Sequence, residues 1–270
     1  NSILNFYVDE TNREHSVYND FLLERVKLLK EAGVEIKICD CDSRIEVTKL
    51  IAEGFDVVYL LAAISHASTS NQEPILAFDN GVLPLLNVIS ALSGDTNTRL
   101  VYMSSSTVYG DFLKEEVDEN DVCNPYGVYA TIKYAGELIL KSVENSVNFA
   151  VARPSALYGE RCVSRRVSQV FLEDAFVGKD LVFSGNPEEK LDFTYIQDLI
   201  TGLILLGFKK EAAGQIFNLT FGDAQKILKL PEILSEYFSN VKVKQIPRNQ
   251  ATPIRGTLSN KKAQKIKIHF

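Results

Sequence analysis

Two residues near the middle of the chain have the types and the spacing of a proton-transfer pair. Tyr129 and Lys133 stand four residues apart, so on a helix they lie one above the other on the same face. A lysine ammonium beside a phenol favours the phenolate, and we expect Lys133 to lower the pKa of Tyr129 from its ordinary value of about 10. Such a pair can take the proton of a sugar or alcohol hydroxyl while a hydride leaves the carbon.

A serine-rich strand end lies about one element before this pair. Residues 103–110 read Met-Ser-Ser-Ser-Thr-Val-Tyr-Gly, and a serine hydroxyl there can hydrogen-bond the same substrate oxygen as the tyrosine. Ser105 is the best candidate, because side chains alternate along a strand and those of Ser104 and Ser106 point elsewhere. An alternative in which all three hydroxyls belong to turns stays open. The Tyr-x-x-x-Lys pattern is weak evidence alone, and the serines make it a strong indication of a catalytic site.

The elements that would position these residues alternate in type along the chain. Apolar runs predict strands, and helical periodicity predicts the helices between them. The predicted strands are residues 3–8, 35–39, 57–61, 100–104 and 148–153, and the predicted helices are residues 19–32, 46–53, 73–91 and 126–143. This alternation indicates a mainly parallel sheet that is covered by helices on both faces.

Composition narrows the class of protein. The 270 residues, 46% of them hydrophobic, suffice for one large α/β domain with a smaller appendage. The formal net charge of −6 disfavours nucleic acid or an anionic membrane as a partner, and we expect no membrane span, since no apolar run approaches the ~18 residues that a span needs. The four cysteines lack the spacing of a disulfide framework, which favours a reducing cytoplasm, and the three scattered histidines predict no metal site.

A series of short segments, taken in order, resembles the extended short-chain dehydrogenase/reductases, and in particular the NAD-dependent nucleotide-sugar epimerases and dehydratases. Besides residues 103–110, the segments are Tyr-Val-Asp at 7–9, Cys-Asp at 39–40, Leu-Ala-Ala at 61–63, Pro-Tyr-Gly-Val-Tyr-Ala-Thr-Ile-Lys at 125–133, Arg-Pro-Ser-Ala-Leu-Tyr-Gly at 153–159, Asp-Phe-Thr-Tyr-Ile-Gln-Asp at 192–198 and Ile-Phe-Asn-Leu at 216–219. The resemblance implies an α/β fold, a Rossmann-like doubly wound parallel sheet with a smaller C-terminal substrate-binding lobe, and NAD as the cofactor.

The resemblance also implies how the chain is divided. Residues 1–159 would form the NAD-binding domain, with residues 192–222 returning to it, and residues 160–191 and 223–270 would form the smaller substrate-binding lobe. The family opens with a strand and a glycine-rich turn that holds the pyrophosphate. Here no glycine precedes Gly33, so we expect that first strand and turn to be missing from the sequence, through truncation or an omitted segment.

The same resemblance assigns roles to single residues. Ser105, Tyr129 and Lys133 would be catalytic, and Lys133 would also hydrogen-bond the nicotinamide ribose. Asp9 would accept hydrogen bonds from the adenosine ribose, which favours NAD over NADP. The other residues expected near the cofactor are Asp40, Leu61, Ala62, Ala63, Asn80, Tyr129, Pro154 and Ser155.

A phosphorylated substrate calls for arginines with fixed donors. The candidates are Arg161, Arg165, Arg166 and Arg255, in addition to Ser105 and Tyr129; for each arginine a solvated surface role is an equal alternative. Many relatives have asparagine where this chain has Ala156 and arginine where it has Leu191. These departures put a standard substrate pose in doubt, and Lys190 is a replacement for the arginine.

The residues after Ser105 bear on the reaction type. Dehydratases of the family usually carry Asp-Glu there, whereas this chain has Ser106-Thr107, which favours epimerisation at C4 of a nucleotide-linked sugar through a transient 4-keto intermediate. The alternatives are a 4-keto-sugar reductase or dehydrogenase, a nucleotide-sugar dehydratase, and a non-catalytic NAD- or sugar-nucleotide-binding protein. Relatives commonly form homodimers through helices that correspond to residues 73–91 and 126–143, and many serve cell-surface polysaccharide synthesis.

Overall fold

The structure is a computed structural model that describes residues 16–64, 67–247 and 253–270. Its helices are α1 (Ser16–Glu31), α2 (Arg44–Ile51), α3 (Ala67–Gln72), α4 (Pro74–Gly81), α5 (Leu83–Leu92), α6 (Val128–Ser142), α7 (Val167–Phe176), α8 (Ile196–Phe208), α9 (Lys229–Tyr237) and α10 (Lys261–Lys265). Its strands are β1 (Val57–Leu60), β2 (Arg99–Met103), β3 (Glu116–Val117), β4 (Phe149–Pro154), β5 (Ala156–Tyr158), β6 (Leu181–Ser184), β7 (Lys190–Tyr195), β8 (Gln215–Leu219), β9 (Ala224–Lys226), β10 (Val243–Ile246) and β11 (Thr257–Leu258). Asp9 and the strand predicted at residues 3–8 lie outside the described residues.

A four-stranded parallel sheet in the order β1-β2-β4-β8 forms the centre of the fold. Every residue of β4 is buried, as expected for a strand that is covered on both faces and therefore reads as an almost continuous apolar run. The strands predicted at residues 57–61, 100–104 and 148–153 are confirmed as β1, β2 and β4, with ends that differ by at most one residue. The α/β class with a parallel central sheet is likewise confirmed.

Alternation along β2 divides the core into two layers. Leu100 and Tyr102 face a cluster that includes side chains of α2, α5 and α6, among them Leu85 and Leu140. Val101 faces the opposite cluster, to which α8 and α10 contribute. Because successive side chains of a strand point to opposite faces, β2 contributes side chains to both layers. Leu140 packs α6 against one of these faces.

Two predicted elements differ from the structure. Residues 35–39 form no strand, since no described strand pairs with their backbone and an extended segment becomes a strand only through such a partner. The helix predicted at residues 73–91 is divided at Val82 into α4 and α5. Pro84 accounts for the division, because a proline lacks the N–H of the helical ladder and its ring crowds the preceding turn.

The stretch Pro74–Leu92 also corrects the expectation that no segment of the chain is long and apolar enough to span a membrane. This 19-residue stretch is long and apolar enough to cross a membrane by length and composition alone. Its inward side chains, Leu85, Val88, Ile89 and Leu92, pack into the core beside the central sheet. Core packing therefore accounts for these inward side chains, whereas Ile75, Phe78 and Leu86 of the same stretch are exposed, and the absence of a membrane partner remains a prediction.

A smaller cluster lies beyond the central sheet. Phe171, Leu181 and Phe183 form its centre, with side chains of α9 packed around them, and β6 pairs with β10 beside it. Within residues 192–222, α8 packs on the central sheet and β8 pairs with β4. Ala263 of α10 and Ile268, which the prediction assigns to the smaller lobe, pack against the central sheet, and the predicted domain boundaries remain a prediction.

Candidate functional site

The end of β2 delivers Ser105 to the side chain of Tyr129. Ser105 has an extended backbone with φ of −162° and begins the short 3₁₀ turn Ser106–Tyr109, whose Thr107 N–H donates to Ser105 Oγ over 3.2 Å. The Ser105 side chain also lies near the Tyr129 phenol, whose pKa it lowers. Ser104 instead donates to Glu137, so among the three serines the structure brings Ser105 to the tyrosine.

Helix α6 places Lys133 one turn after Tyr129 and directs it toward the same strand. The Lys133 side chain is 4% exposed, and its Nζ donates to the Met103 carbonyl over 2.7 Å. Nζ lies 6.0 Å from the centre of the Tyr129 ring and 5.3 Å from that of Tyr102. Ser105, Tyr129 and Lys133 therefore form one compact group at the carboxyl end of β2.

Burial makes the pKa values of Tyr129 and Lys133 differ from those expected from the sequence. The pKa of Tyr129 is raised, because burial of the phenol outweighs the nearby Ser105 side chain and the positive charge of Arg166, which both lower it. The pKa of Lys133 is lowered to about 8, because burial disfavours the ammonium. The prediction that Lys133 lowers the pKa of Tyr129 was wrong for this geometry, in which the lysine donates to a backbone carbonyl and desolvation dominates.

The cofactor candidates cluster at the carboxyl ends of the parallel strands. Leu61 follows β1 with 55% of its surface exposed, and Ala62 and Ala63 come next. Pro154 ends β4 and Ser155 follows it, so both lie at the same edge of the sheet as the catalytic candidates. Small residues allow close approach of a ligand, and an exposed leucine offers an apolar surface for a flat ring. These residues fit a dinucleotide, which parallel sheets bind at this edge.

Two other cofactor candidates make local contacts. Asp40 is exposed, and its carboxylate accepts a hydrogen bond from the Asp42 N–H over 3.1 Å. Asn80 lies on α4 and donates to the Leu76 carbonyl over 2.8 Å. Neither is brought to the Ser105–Tyr129 contact by a described interaction, and their roles toward the cofactor remain predictions.

The four candidate arginines differ in their surroundings. Arg161 lies 3.4 Å from the Glu24 carboxylate, and Arg165 lies 3.3 Å from that of Glu173. Arg166 is exposed, and its charge acts on the Tyr129 phenol. Of these three arginines, Arg166 is therefore the one that the structure brings to the catalytic candidates.

Arg255 supports the turn that follows Ser105. Its Nη1 donates to the Ser106 carbonyl over 3.2 Å and to the Gly110 carbonyl over 3.4 Å, and burial lowers its pKa to about 10. Arg255 and Lys190 line one cleft of about 360 Å³, although Lys190 also lies 3.5 Å from a Glu115 carboxylate oxygen. A role for this cleft in substrate binding remains a prediction.

Sequence reasoning missed a buried ion pair behind the catalytic group. Glu137 on α6 pairs with Arg153 on β4, and both are buried. Two signals in the sequence pointed to it. Glu137 stands four residues after Lys133 on the same helix face, and Arg153 is a charged residue in an apolar central strand.

Comparison with known proteins places this geometry in context. The family model described as the NAD dependent epimerase/dehydratase family matches residues 8–220. The UDP-glucose 4-epimerase of Mycoplasma genitalium is 36% identical over 134 residues, which are 47% of this chain and 38% of that protein, so the chain aligns with well under half of this relative.

Two solved structures share the fold. UDP-glucose 4-epimerase from Thermotoga maritima, solved with UDP-glucose, superimposes with a TM-score of 0.81 at 18% identity over 92% of this chain and 90% of that chain. The UDP-glucose 4-epimerase of Thermus thermophilus, in complex with NAD, gives a TM-score of 0.79 at 22% identity over 88% and 80% of the two chains.

Proposed function

Because the chain belongs to the NAD dependent epimerase/dehydratase family, we propose that it inverts C4 of a nucleotide-linked sugar through a transient 4-keto intermediate. The contact between Ser105 and Tyr129, with Lys133 beside them at the carboxyl edge of the sheet, carries this proposal. UDP-sugars are the first candidate substrates, because the Thermotoga relative of this fold is solved with UDP-glucose.

In the proposed reaction the phenolate form of Tyr129 takes the proton of the C4 hydroxyl and later returns it. Ser105 hydrogen-bonds the same oxygen and so aligns it with the phenol. Lys133 lies next to the Tyr129 phenol, and its amine, whose pKa is lowered to about 8, can accept the phenol proton near neutral pH and so leave the phenolate that acts as the base. A bound NAD would supply the acceptor and donor for the hydride at C4.

The residues proposed to hold NAD are those at the carboxyl edge. Lys133 would bind the nicotinamide ribose, while Leu61, Ala62 and Ala63 would support the ring systems. Pro154 and Ser155 would line the nicotinamide end, and Asp40, Asn80 and Asp9 complete the proposed set. Arg166 is the proposed contact to an anionic group of the substrate, since its charge already reaches the tyrosine.

A homodimer is also proposed. The helices expected at the subunit interface carry exposed apolar side chains: Ile75 and Phe78 on α4, Leu86 on α5 and Leu138 on α6. Apolar side chains in adjacent helices favour burial against a second copy. Cytoplasmic location remains a prediction from the four cysteines, all of which are free.

The proposal is tested with a panel of UDP-glucose, UDP-galactose, UDP-glucuronic acid and dTDP-glucose, each incubated with the protein and NAD⁺. We expect ¹H NMR to show the C4 epimer of one of the UDP-sugars, with no net change in absorbance at 340 nm. A stoichiometric change at 340 nm would instead identify a reductase or dehydrogenase, and a 4-keto-6-deoxy product would identify a dehydratase. Either result would overturn the epimerase proposal.

A further inference from the structure

A buried, charge-balanced group lies directly behind the proposed catalytic residues. Glu137 is 3% exposed and Arg153 is 2% exposed. Arg153 donates from Nε to Glu137 Oε1 over 2.9 Å and from Nη2 to Oε2 over 2.5 Å, and Ser104 Oγ also donates to Oε1. Both carboxylate oxygens are therefore satisfied by fixed donors. We call Ser104, Glu137 and Arg153 the Glu137 network.

The Glu137 network is part of a wider contact between α6 and β2. Tyr102 packs against Gly136, where an added Cβ would lie only 2.3 Å from the tyrosine oxygen. The next residue of β2, Met103, accepts from Lys133, and the one after it, Ser104, donates to Glu137. Three consecutive residues at the end of β2 thus contact Gly136, Lys133 and Glu137 on one face of α6. The register of this contact determines where Tyr129 stands relative to Ser105.

Arg153 is itself held by a second set of contacts. Its guanidinium lies 4.8 Å from the centre of the Tyr109 ring, and the Tyr109 hydroxyl donates to Asn218 Oδ1 over 2.8 Å. Tyr109 ends the short turn that begins after Ser105. The guanidinium therefore joins α6, β4 and the turn that carries the candidate serine.

We propose that the Glu137 network positions Lys133 and Tyr129 for catalysis, with Arg153 as the residue that neutralises Glu137. A buried carboxylate without its partner would attract the nearest cation, and Lys133 stands one helical turn away on the same face. Arg153 and Ser104 occupy both carboxylate oxygens, so Lys133 remains directed to the Met103 carbonyl beside Tyr129. This positioning role rests on the proposed function, in which Lys133 and Tyr129 act on the sugar.

Several charged or titratable groups lie around Tyr129 and the Glu137 network and must be considered in any test. They come from α6, β2, β4 and the segments before α6 and α7, and they are Tyr102, Tyr109, Cys123, Tyr129, Glu137, Arg153 and Arg166. Glu137 and Arg153 are the pair of opposite sign in this set. Neutralising Glu137 should therefore lower the titration midpoint of the Lys133 amine, and neutralising Arg153 should raise it.

The test follows the titration of the Lys133 amine by ¹⁵N NMR, with the resonance identified by its loss in Lys133→Arg. We expect the titration midpoint to rise by about one pH unit in Arg153→Met and to fall by a similar amount in Glu137→Gln, the shift for a charge at roughly 10 Å and an effective dielectric of about 20. The double variant Glu137→Gln/Arg153→Met should return close to the wild-type midpoint. Ser104→Ala should give a smaller rise, because the carboxylate loses one donor.

If Glu137 and Arg153 had only a structural role, the variants would give a different pattern of stability and of Lys133 titration midpoints. Equal losses of thermal stability without opposite shifts of the Lys133 midpoint, or midpoints that do not move in any folded variant, would overturn the proposal. If Arg153→Met does not fold, the rise expected in Ser104→Ala and the fall expected in Glu137→Gln still decide the sign. The titration requires no turnover, so an absence of activity on sugar nucleotides would refute the proposed function and leave this test intact.

Discussion

Replacing Tyr129 with phenylalanine should lower the turnover number about 10²–10⁴-fold, the range that positioned acid–base groups contribute. The substitution removes the hydroxyl that lies near Ser105 and that would exchange the C4 proton, while it keeps the aromatic ring beside Lys133. The measurement is the steady-state rate of epimer formation, together with the KM of the active sugar nucleotide. We expect KM to change little, because the lost group acts mainly in the transition state.

The matched control is Tyr126→Phe, which removes a hydroxyl from an exposed tyrosine just before α6. It should retain wild-type turnover. Equal turnover in Tyr129→Phe and Tyr126→Phe would show that Tyr129 is not the acid–base group and would favour the non-catalytic alternative.

Replacing Lys133 with methionine should abolish measurable turnover and at the same time stabilise the protein. The drop in the pKa of Lys133 from 10.5 to about 8 corresponds to a cost of about 3 kcal/mol at neutral pH, at 1.36 kcal/mol per pH unit. Methionine fills similar space without a charge, although it leaves the Met103 carbonyl without this donor, which offsets about 1–2 kcal/mol. We expect a net gain in the free energy of unfolding of about 1–2 kcal/mol.

The pH dependence of this gain has a defined sign. Between pH 8 and pH 10.5 the unfolded chain binds more protons at Lys133 than the folded protein does, so the free energy of unfolding of the wild type rises with pH across this window. The advantage of Lys133→Met should therefore be fully present below pH 8 and shrink above it. Urea unfolding at several pH values measures this difference.

Lys141→Met is the control for Lys133→Met, since Lys141 is an exposed lysine on the same helix, paired with Glu144. It should change the free energy of unfolding little at any pH. A loss of stability in Lys133→Met that is independent of pH would contradict the account of Lys133 as a desolvated cation.

Local patterns in the sequence were enough to predict three strands of the central sheet. The apolar runs of β2 and β4 predicted their strands, because a strand buried on both faces consists almost entirely of apolar residues, and the apolar run at β1 predicted a strand that is only partly buried. The spacing of Tyr129 and Lys133 and the serine-rich strand end predicted the candidate site, because the helix period and the strand end are both local properties of the sequence.

Properties that depend on tertiary packing could not be read in the same way. The pKa of Tyr129 is governed by desolvation, which arises only when α6 packs on β2. The pairing of Glu137 with Arg153 joins residues of different elements, so no single periodicity reveals it. Residues 35–39 have the composition of a strand, but strand formation requires a hydrogen-bonding neighbour that the described residues do not supply.

The most direct test of the central claim is the fate of a deuterium label at C4 of UDP-glucose. With the wild-type protein and NAD⁺, we predict UDP-galactose that retains the deuterium at C4, because the hydride leaves and returns within one active site. ²H and ¹H NMR of the product measure the label directly. A product in which hydrogen has replaced the C4 deuterium, or a 4-keto sugar that accumulates in place of the epimer, would contradict the account.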